Sequence, residues 1–250
     1  MNWTIWFDLD DTLWDFKTNS ASTLDQVYDF FKIRDICPQK DKWLESYHKI
    51  NMELWEKYAR GEVSSDILRK TRFLKPLLLC GMTESEAIPL AVEIDKYYLE
   101  QLSRKPKLVA GAAELLGSLK SKGFKIGVLS NGFHKYQHNK LRYGGLSQFI
   151  DYVVLSDDFG KSKPSVEIFD YACKISGCPP ERSVMVGDNM DTDISGAINA
   201  GWALVIWLNE KRLDWKQLLE TGEKSENPFI VDKLPQIENL LQDVGLITDK

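Results

Sequence analysis

The sequence of 250 residues has no long basic run, and its acidic residues outnumber the basic ones by 37 to 32. The formal net charge is −5. Proteins that bind nucleic-acid polymers usually carry a basic stripe or patch, so no such partner is predicted here. A small phosphate ester is still compatible with this charge, because one or two local cations would be enough to attract it.

The sequence also lacks a long apolar segment. No stretch approaches the roughly 20 apolar residues that span a bilayer. No basic segment precedes the first apolar run, which Asp8 interrupts. We therefore expect neither a membrane span nor a secretory signal, and we expect a cytoplasmic protein. Cysteine is scarce, and the four cysteines lack the spacing of a metal site, which favours reduced thiols.

Acidic residues are concentrated directly after the first apolar run. Trp3 to Phe7 is short and rich in aromatics, as in a buried strand, and Asp8 and Asp10 follow it. In an extended backbone these two carboxylates project to the same side, where they repel unless one is protonated or a cation lies between them. Oxygen ligands suit Mg²⁺, and a carboxylate can also be the nucleophile that forms an aspartyl-phosphate. The alternative for this pair alone is a strand that ends in a solvated acidic turn.

Residues 15–104 differ in pattern from the rest of the chain. Apolar residues recur at three- and four-residue spacing, as in Leu24 to Phe31 and Trp43 to Tyr58, and no persuasive strand is present. We predict a helical insertion of four or five helices after the first strand. Its aromatics, which include Trp55, are interpreted as core rather than as a ligand box.

From residue 105 onward, helical and strand patterns alternate. This alternation predicts an α/β fold, with a Rossmann-like parallel sheet covered by helices and formed by residues 1–14 and 105–250. The predicted strands are 124–129, 152–155, 183–186, 203–207 and 229–231, and the predicted helices are 112–121, 133–143, 165–176, 192–200 and 234–244.

Polar clusters occur at the predicted carboxyl ends of four strands, which is the edge where open parallel sheets bind ligands. A hydroxyl and N–H groups at a helix start can cradle a phosphate, a lysine adds positive charge, and a further acid completes a metal site. Each cluster alone is more simply a turn or a solvated charge, but four at corresponding positions indicate an active site. The clusters are Asp8 to Thr12, Ser130 to Gly132, Gly160 to Pro164 and Gly187 to Asp193.

Four segments carry a resemblance to a known family: Asp8-Leu9-Asp10-Asp11-Thr12-Leu13, Leu129-Ser130-Asn131-Gly132, Lys163-Pro164, and Val186-Gly187-Asp188 with Asp193. They resemble the motifs of the haloacid dehalogenase-like hydrolase superfamily. The resemblance implies a phosphatase that works through an aspartyl-phosphate and carries an inserted helical cap. The phosphatases and mutases of this superfamily have an acid at the position of Asp10 and its dehalogenases lack it, so dehalogenation is not expected.

The resemblance also implies a role for each residue. Asp8 would attack phosphorus, and Asp10 would protonate the leaving oxygen and then activate water. The family places its lysine directly before the proline, which favours Lys163 over Lys161. Mg²⁺ would be held by Asp8, the Asp10 carbonyl and Asp188, with support from Asp193. The phosphoryl group would be bound by Thr12, Ser130, Asn131, Gly132 and Lys163.

A finer resemblance is to the bacterial pyrimidine 5′-nucleotidase branch, which implies a nucleoside monophosphate as the small-molecule substrate. Much of this similarity is shared with neighbouring branches, and the predicted cap shows no motif that specifies a substrate. The alternatives are a sugar-phosphate phosphatase, a phosphomutase with the same intermediate, or a catalytically idle binding or regulatory protein. The sequence predicts no oligomeric state. The segments that carry this resemblance include Ser130-Asn131-Gly132-Phe133, Ile168-Phe169-Asp170-Tyr171-Ala172 and Asn199-Ala200-Gly201.

Two further pairs of residues remain open. His134 and His138 lie four apart on a predicted helix and could hold zinc, but the sequence identifies no third ligand, which favours surface histidines. Trp14 and Phe16 follow the first strand. They either pack the cap on the core or stack on a base, and the sequence favours neither.

Overall fold

The structure, a computed structural model, describes residues 3–210 and 228–247. The chain forms two compact units, residues 1–15 with 107–250 and residues 16–106, which we call the sheet unit and the helical unit. The sequence predicted the two junctions at 14–15 and 104–105. No helix within the described residues is both long and apolar enough to cross a membrane.

The helical unit has four α-helices and no strand in its described residues, 16–106. Its core is aromatic: the buried rings of Tyr47 and Phe73 stack with centroids 4.8 Å apart. Trp55 and Tyr58, which the sequence assigned to this core, are only half-buried, and they contact each other edge to face. The helices are α1 Phe16–Phe30, α2 Lys40–Ala59, α3 Ser65–Leu79 and α4 Glu84–Leu102.

A buried ion pair lies beside this aromatic core. Arg72 Nε donates to Asp95 Oδ1 at 2.7 Å, and both side chains are buried. The second carboxylate oxygen, Asp95 Oδ2, accepts from Arg69 Nε at 3.0 Å. The two arginines of α3 therefore bind one acid of α4, which ties these two helices together.

In its described residues, the sheet unit is organised around six parallel strands in the order β3-β2-β1-β4-β5-β6. The first strand lies in the middle, between β2 and β4, and all four of its residues are buried, as its apolar sequence predicts. The predicted α/β fold class is confirmed. The strands are β1 Thr4–Phe7, β2 Lys125–Ser130, β3 Tyr152–Leu155, β4 Ser183–Gly187, β5 Leu204–Leu208 and β6 Phe229–Val231.

The predicted helices of the sheet unit are found at their positions with one larger difference, and the short helix Ser156–Phe159 was not predicted. The predicted helix 192–200 begins earlier, because the Asn189 side chain accepts hydrogen bonds from the N–H groups of Asp191 and Thr192 and starts a π-helical turn, Met190–Ile194. The helices are α5 Ala112–Ser121, α6 His134–Tyr143, α7 Ser156–Phe159, α8 Val166–Ser176, α9 Ser195–Asn199 and α10 Gln236–Asp243.

The chain leaves the sheet unit and returns to it at one place. Asp15 N–H donates to the Lys107 carbonyl at 3.2 Å, and the same two side chains form an ion pair, also at 3.2 Å. Val109 N–H donates to the Leu13 carbonyl at 3.0 Å. The outgoing and returning segments thus lie side by side, as two short antiparallel strands would.

Candidate active site

Asp8 is the first residue beyond β1 and is held by the neighbouring strand. Its N–H donates to the Val186 carbonyl at 2.9 Å, so the central strand continues its pairing with β4 through this residue. The chain then turns sharply, because the N–H groups of Leu13 and Trp14 both donate to the Leu9 carbonyl. The strand and the turn together hold Asp8 at the carboxyl edge of the sheet, where ligands of such sheets bind.

The Lys163 side chain reaches Asp8 from the loop before α8. Its Nζ lies 2.6 Å from Asp8 Oδ1 and 2.7 Å from Asp193 Oδ1, and it also donates to the Leu129 carbonyl at 2.7 Å. Lys163 is 1% exposed. Lys161, two residues earlier, is exposed and pairs with Glu167 instead. The structure therefore brings Lys163, and not Lys161, to the acidic residues.

The charge of Lys163 is stabilised by its surroundings. Burial alone would lower the pKa of this ammonium, but the carboxylates of Asp193 and Asp8 outweigh burial and raise it above its ordinary value. A fully charged lysine is thus maintained in a buried position. It can neutralise one of the two acids beside it and can attract a phosphoryl oxygen.

Asn131 holds the backbone of Lys163. Its Oδ1 accepts from the Lys163 N–H at 2.8 Å, and its Nδ2 donates to the Lys163 carbonyl at 3.0 Å. The Asn131 side chain is thus engaged with the lysine loop, and the predicted contact of Asn131 with phosphate stays a prediction.

Three carboxylates meet in front of the sheet edge. One oxygen from each of Asp8, Asp188 and Asp193 lies within 4.8 Å of the others. Burial raises the pKa of the Asp8 carboxyl well above its ordinary value; Lys163 opposes this shift and the neighbouring acids reinforce it. An all-oxygen donor set whose negative charge the single lysine only partly compensates fits a hard divalent cation such as Mg²⁺.

The loop after β4 is arranged to present its two acids. Trp207 Nε1 donates to the Asp188 carbonyl at 2.9 Å, and the Thr12 hydroxyl donates to Asp188 Oδ1 at 3.3 Å. Asp193 Oδ2 lies against Gly187, where an added Cβ atom would be only 2.3 Å away. Thr12 is fully buried and contacts the acid loop, so its predicted contact with substrate stays a prediction.

Asp10 lies under two side chains of α6 that the sequence reasoning missed. Lys140 Nζ is 2.7 Å from Asp10 Oδ1 and 2.8 Å from Oδ2, and Gln137 Nε2 donates to Oδ2 at 3.0 Å. The same Gln137 nitrogen donates to Ser130 Oγ at 2.7 Å. The helical spacing could have indicated that these two side chains are buried, because Gln137 and Lys140 share one helix face with the buried Leu141.

The remaining candidates lie in different surroundings. Trp14 is 0% exposed, and Lys140 Nζ lies 4.7 Å from its ring centroid, so its indole presents no open face to a base. Phe16 is half-buried at the start of α1.

His134 Nδ1 lies 2.9 Å from both carboxylate oxygens of Asp158. Within residues 3–210 and 228–247, the one group of three potential ligands is the aspartate cluster, so His134 and His138 do not form such a group.

Comparisons with known proteins agree with this geometry. A family model for haloacid dehalogenase-like hydrolases matches residues 4–201. The chain belongs to this family, and the resemblance stated from its motifs is confirmed.

Particular relatives are similar over nearly the whole chain. Pyrimidine 5′-nucleotidase YjjG of Escherichia coli is 31% identical, over 96% of this chain and 99% of its own length. The glyceraldehyde 3-phosphate phosphatase of Methanothermobacter thermautotrophicus is 32% identical, over 95% of this chain and 98% of its own length. The magnesium-bound structure of HAD-hydrolase YfnB from Bacillus subtilis aligns with a TM-score of 0.81 at 26% identity, over 97% of this chain and 100% of that one.

Proposed function

We propose that this chain is a Mg²⁺-dependent phosphomonoesterase that works through an aspartyl-phosphate, with a pyrimidine nucleoside 5′-monophosphate as its substrate. The observation that carries the proposal is the group formed by buried Asp8, Lys163 and Asp193 with half-buried Asp188 at the carboxyl edge of the sheet. A nucleophilic carboxylate, a fixed ammonium and an oxygen donor set are what phosphoryl transfer requires together.

In the first step a carboxylate oxygen of Asp8 forms a bond to phosphorus while the ester P–O bond breaks. Asp10 gives its proton to the leaving oxygen, so the alcohol departs neutral. Lys163 and the N–H groups around Ser130 and Asn131 stabilise the charge on the transferring group. Mg²⁺, held by Asp8, Asp188 and the Asp10 carbonyl with support from Asp193, would supply further positive charge at the phosphoryl oxygens.

In the second step Asp10 acts as a base. It takes a proton from a water molecule whose oxygen attacks phosphorus, and the bond between Asp8 and phosphorus breaks. Phosphate is released and the Asp8 carboxylate is restored. One residue can serve in both steps because it is left ionised by the first.

The choice of a nucleotide rests on the similarity to the two pyrimidine 5′-nucleotidases, of Escherichia coli and Streptococcus pneumoniae. A sugar-phosphate or triose-phosphate substrate is the second candidate, because a glyceraldehyde 3-phosphate phosphatase is equally similar. The deciding assay measures kcat/KM for UMP, dUMP, AMP, glyceraldehyde 3-phosphate and several hexose phosphates with Mg²⁺ present. A sugar or triose phosphate preferred by about tenfold, or 1.4 kcal/mol, would replace the nucleotide proposal and leave the phosphatase proposal standing.

Two controls test the chemistry itself. Asp8→Asn should abolish turnover on every ester while the protein stays folded, because a neutral amide cannot attack phosphorus. EDTA should abolish the activity of the unaltered protein, and Mg²⁺ should restore it. Activity that persists in Asp8→Asn, or in EDTA after dialysis, would overturn the covalent and the metal-dependent parts respectively. No turnover on any ester would favour an idle, binding or regulatory protein.

Phe16 provides a test of base recognition. If its ring packs on the base, Phe16→Ala should raise KM for a nucleotide more than KM for p-nitrophenyl phosphate, which has no base. The same comparison for Trp14→Ala should show no such difference, since the Trp14 ring is covered. Equal changes in KM for both esters with Phe16→Ala would remove it from the substrate site.

A further inference from the structure

Two polar side chains of α6 are buried against Asp10. Lys140 is 6% exposed and Gln137 is 1% exposed, whereas the Asp10 side chain that they contact remains 32% exposed. Within this cluster, the Asp10 carboxyl group is therefore accessible to solvent, whereas Lys140 and Gln137 are buried. Burying an ammonium is costly unless it is paired, so the contact with Asp10 also stabilises the buried Lys140.

Both carboxylate oxygens of Asp10 accept hydrogen bonds from side chains of α6. Lys140 Nζ contacts Oδ1 and Oδ2, and Gln137 Nε2 adds a second donor to Oδ2. With donors on both oxygens, rotation of the carboxyl group about its bond to Cβ is restrained. General acid–base catalysis needs such restraint, because a proton is transferred only within hydrogen-bond reach and along a suitable direction.

Gln137 also connects Asp10 to the predicted phosphate cradle. Its Nε2 is shared between Asp10 Oδ2 and Ser130 Oγ, at 3.0 and 2.7 Å. Gly132 makes this approach possible, because a Cβ atom there would lie 2.1 Å from the same nitrogen. The Gln137 Oε1 atom is buried with no hydrogen-bond partner in the described structure. An unpaired buried acceptor is unfavourable, and an apolar side chain at this position would avoid it.

We propose that Lys140 and Gln137 are positioning residues that hold the Asp10 carboxyl group for its two proton transfers. The proposal rests on the proposed function, since it assigns them a part in that same reaction. They touch neither the substrate nor the reacting phosphorus, and they act through Asp10. When Asp10 has given its proton to the leaving oxygen, the carboxylate that remains is held by the same two donors for its attack on a water proton.

The first test uses the leaving group. Lys140→Met keeps the length of the side chain and removes its charge. It should lower kcat for a nucleotide by about tenfold or more, a part of the 10²–10⁴-fold that general acid–base catalysis contributes. Single-turnover phosphorylation by p-nitrophenyl phosphate should fall much less, because that leaving group needs little help from a proton. KM and the Mg²⁺ requirement should change little, and Lys140→Arg should restore most of the lost rate.

The second test asks whether these residues act through Asp10. In an Asp10→Asn background, adding Lys140→Met or Gln137→Leu should cost almost nothing further, since there is no carboxyl group left to hold. Lys135→Met, on the exposed face of the same helix, should leave all rates unchanged and serves as the control. Should Lys140→Met fold poorly, Gln137→Leu in the same cycle decides the question.

Three results would overturn the inference. Equal losses on both esters, additive losses in the Asp10→Asn background, or a wild-type rate in both Lys140→Met and Gln137→Leu would each do so while leaving the phosphatase intact. A wild-type protein that hydrolyses no ester would instead overturn the proposed function, and the inference with it, before any variant is made.

Discussion

Asn131 and Lys163, 32 residues apart, are joined by two reciprocal hydrogen bonds between the amide of one side chain and the backbone of the other. This places the loop before α8 against the end of β2, so the Lys163 ammonium is directed at Asp8 and Asp193. The hydrogen bonds to Asn131 fix the backbone of Lys163, and the two carboxylates fix the end of its side chain. The ion pairs with Asp8 and Asp193 then compensate the cost of burying the ammonium.

Lys163→Met should show that this buried charge contributes more to stability than a surface lysine does. Without the ammonium, Asp8 and Asp193 face each other with no buried cation, so we expect a loss of about 3–5 kcal/mol of unfolding free energy in EDTA. Mg²⁺ should recover part of this loss, and activity should be absent. Lys161→Met is the control, because Lys161 is exposed. Urea denaturation in EDTA measures the loss of stability, and urea denaturation with Mg²⁺ measures the recovery. Equal stability of the two variants would contradict the prediction.

Gly187→Ala should weaken the aspartate cluster. The added methyl group would meet Asp193 Oδ2 at 2.3 Å, and Asp193 cannot move away without losing its contact with Lys163. We expect a higher Mg²⁺ concentration for half-maximal activity. Gly117→Ala is the matched control, since its methyl group would make an ordinary 3.6 Å contact with Phe149. It lies inside α5, where alanine is favoured over glycine by about 0.5–1 kcal/mol.

A normal Mg²⁺ dependence in Gly187→Ala would show that Asp193 tolerates displacement. Thermal melts of both glycine variants distinguish a local change at the cluster from a general loss of stability. We expect the Gly117→Ala protein to melt at or above the wild-type temperature.

Asp95→Ala should destabilise the protein strongly through the helical unit. It leaves the buried Arg72 guanidinium without its carboxylate, which costs about 3–5 kcal/mol in comparable buried pairs. Asp66→Ala removes an exposed partner of Lys70 on α3 and should cost far less, because exposed ion pairs contribute little to stability. Urea denaturation of the two variants provides the comparison. A similar, small effect for both would mean that Arg72 finds other compensation.

The stability contributed by Asp151 should depend on pH. Burial would raise the pKa of this carboxyl, but hydrogen bonds from Lys120, the Ile126 N–H and Lys125 outweigh burial and lower it. The group therefore adds stability above its unfolded pKa of about 3.9, and this contribution is lost as the pH falls through the lower folded value. Asp151→Asn should cost about 1 kcal/mol near neutral pH.

The measurement is the difference in unfolding free energy between Asp151→Asn and the unaltered protein, followed from neutral to acidic pH. The difference should shrink as the pH falls, because both proteins then carry a neutral group at this position. Asp29→Asn, at an exposed ion pair, should show little difference at any pH. A gap for Asp151→Asn that stays constant with pH would contradict the assignment.

Sequence patterns predicted the strands well because the strands are apolar and lie in a sheet that helices cover. The run from Tyr152 to Leu155 is a strand with the predicted bounds, and so is the run from Phe229 to Val231. The acids after β1 and β4 were identifiable because parallel strands end at one edge, so chemistry-bearing residues at strand ends converge there. The fold class follows from the same alternation of patterns.

The residues that sequence reasoning missed are polar side chains buried in a helix. Gln137 and Lys140 belong to a segment in which nearly every residue is polar, so burial leaves little trace in its pattern. Only Leu141 marks the inner face. The role of Trp207 was hidden for the opposite reason, since an aromatic residue in a strand predicts packing and gives no sign that its N–H holds Asp188. Partners of this kind are defined by tertiary contacts.

The junction where Asp15 meets Lys107 has a consequence for how this architecture can vary. Both ends of the inserted segment are fixed to each other by hydrogen bonds that belong to the sheet unit, so the insertion closes a loop that is already formed at its base. Lengthening such a loop adds only a slowly growing entropic cost. Helices there can be gained, lost or exchanged without a change in the register of β1. Such changes would leave the side chains at the carboxyl edge of the sheet where they are.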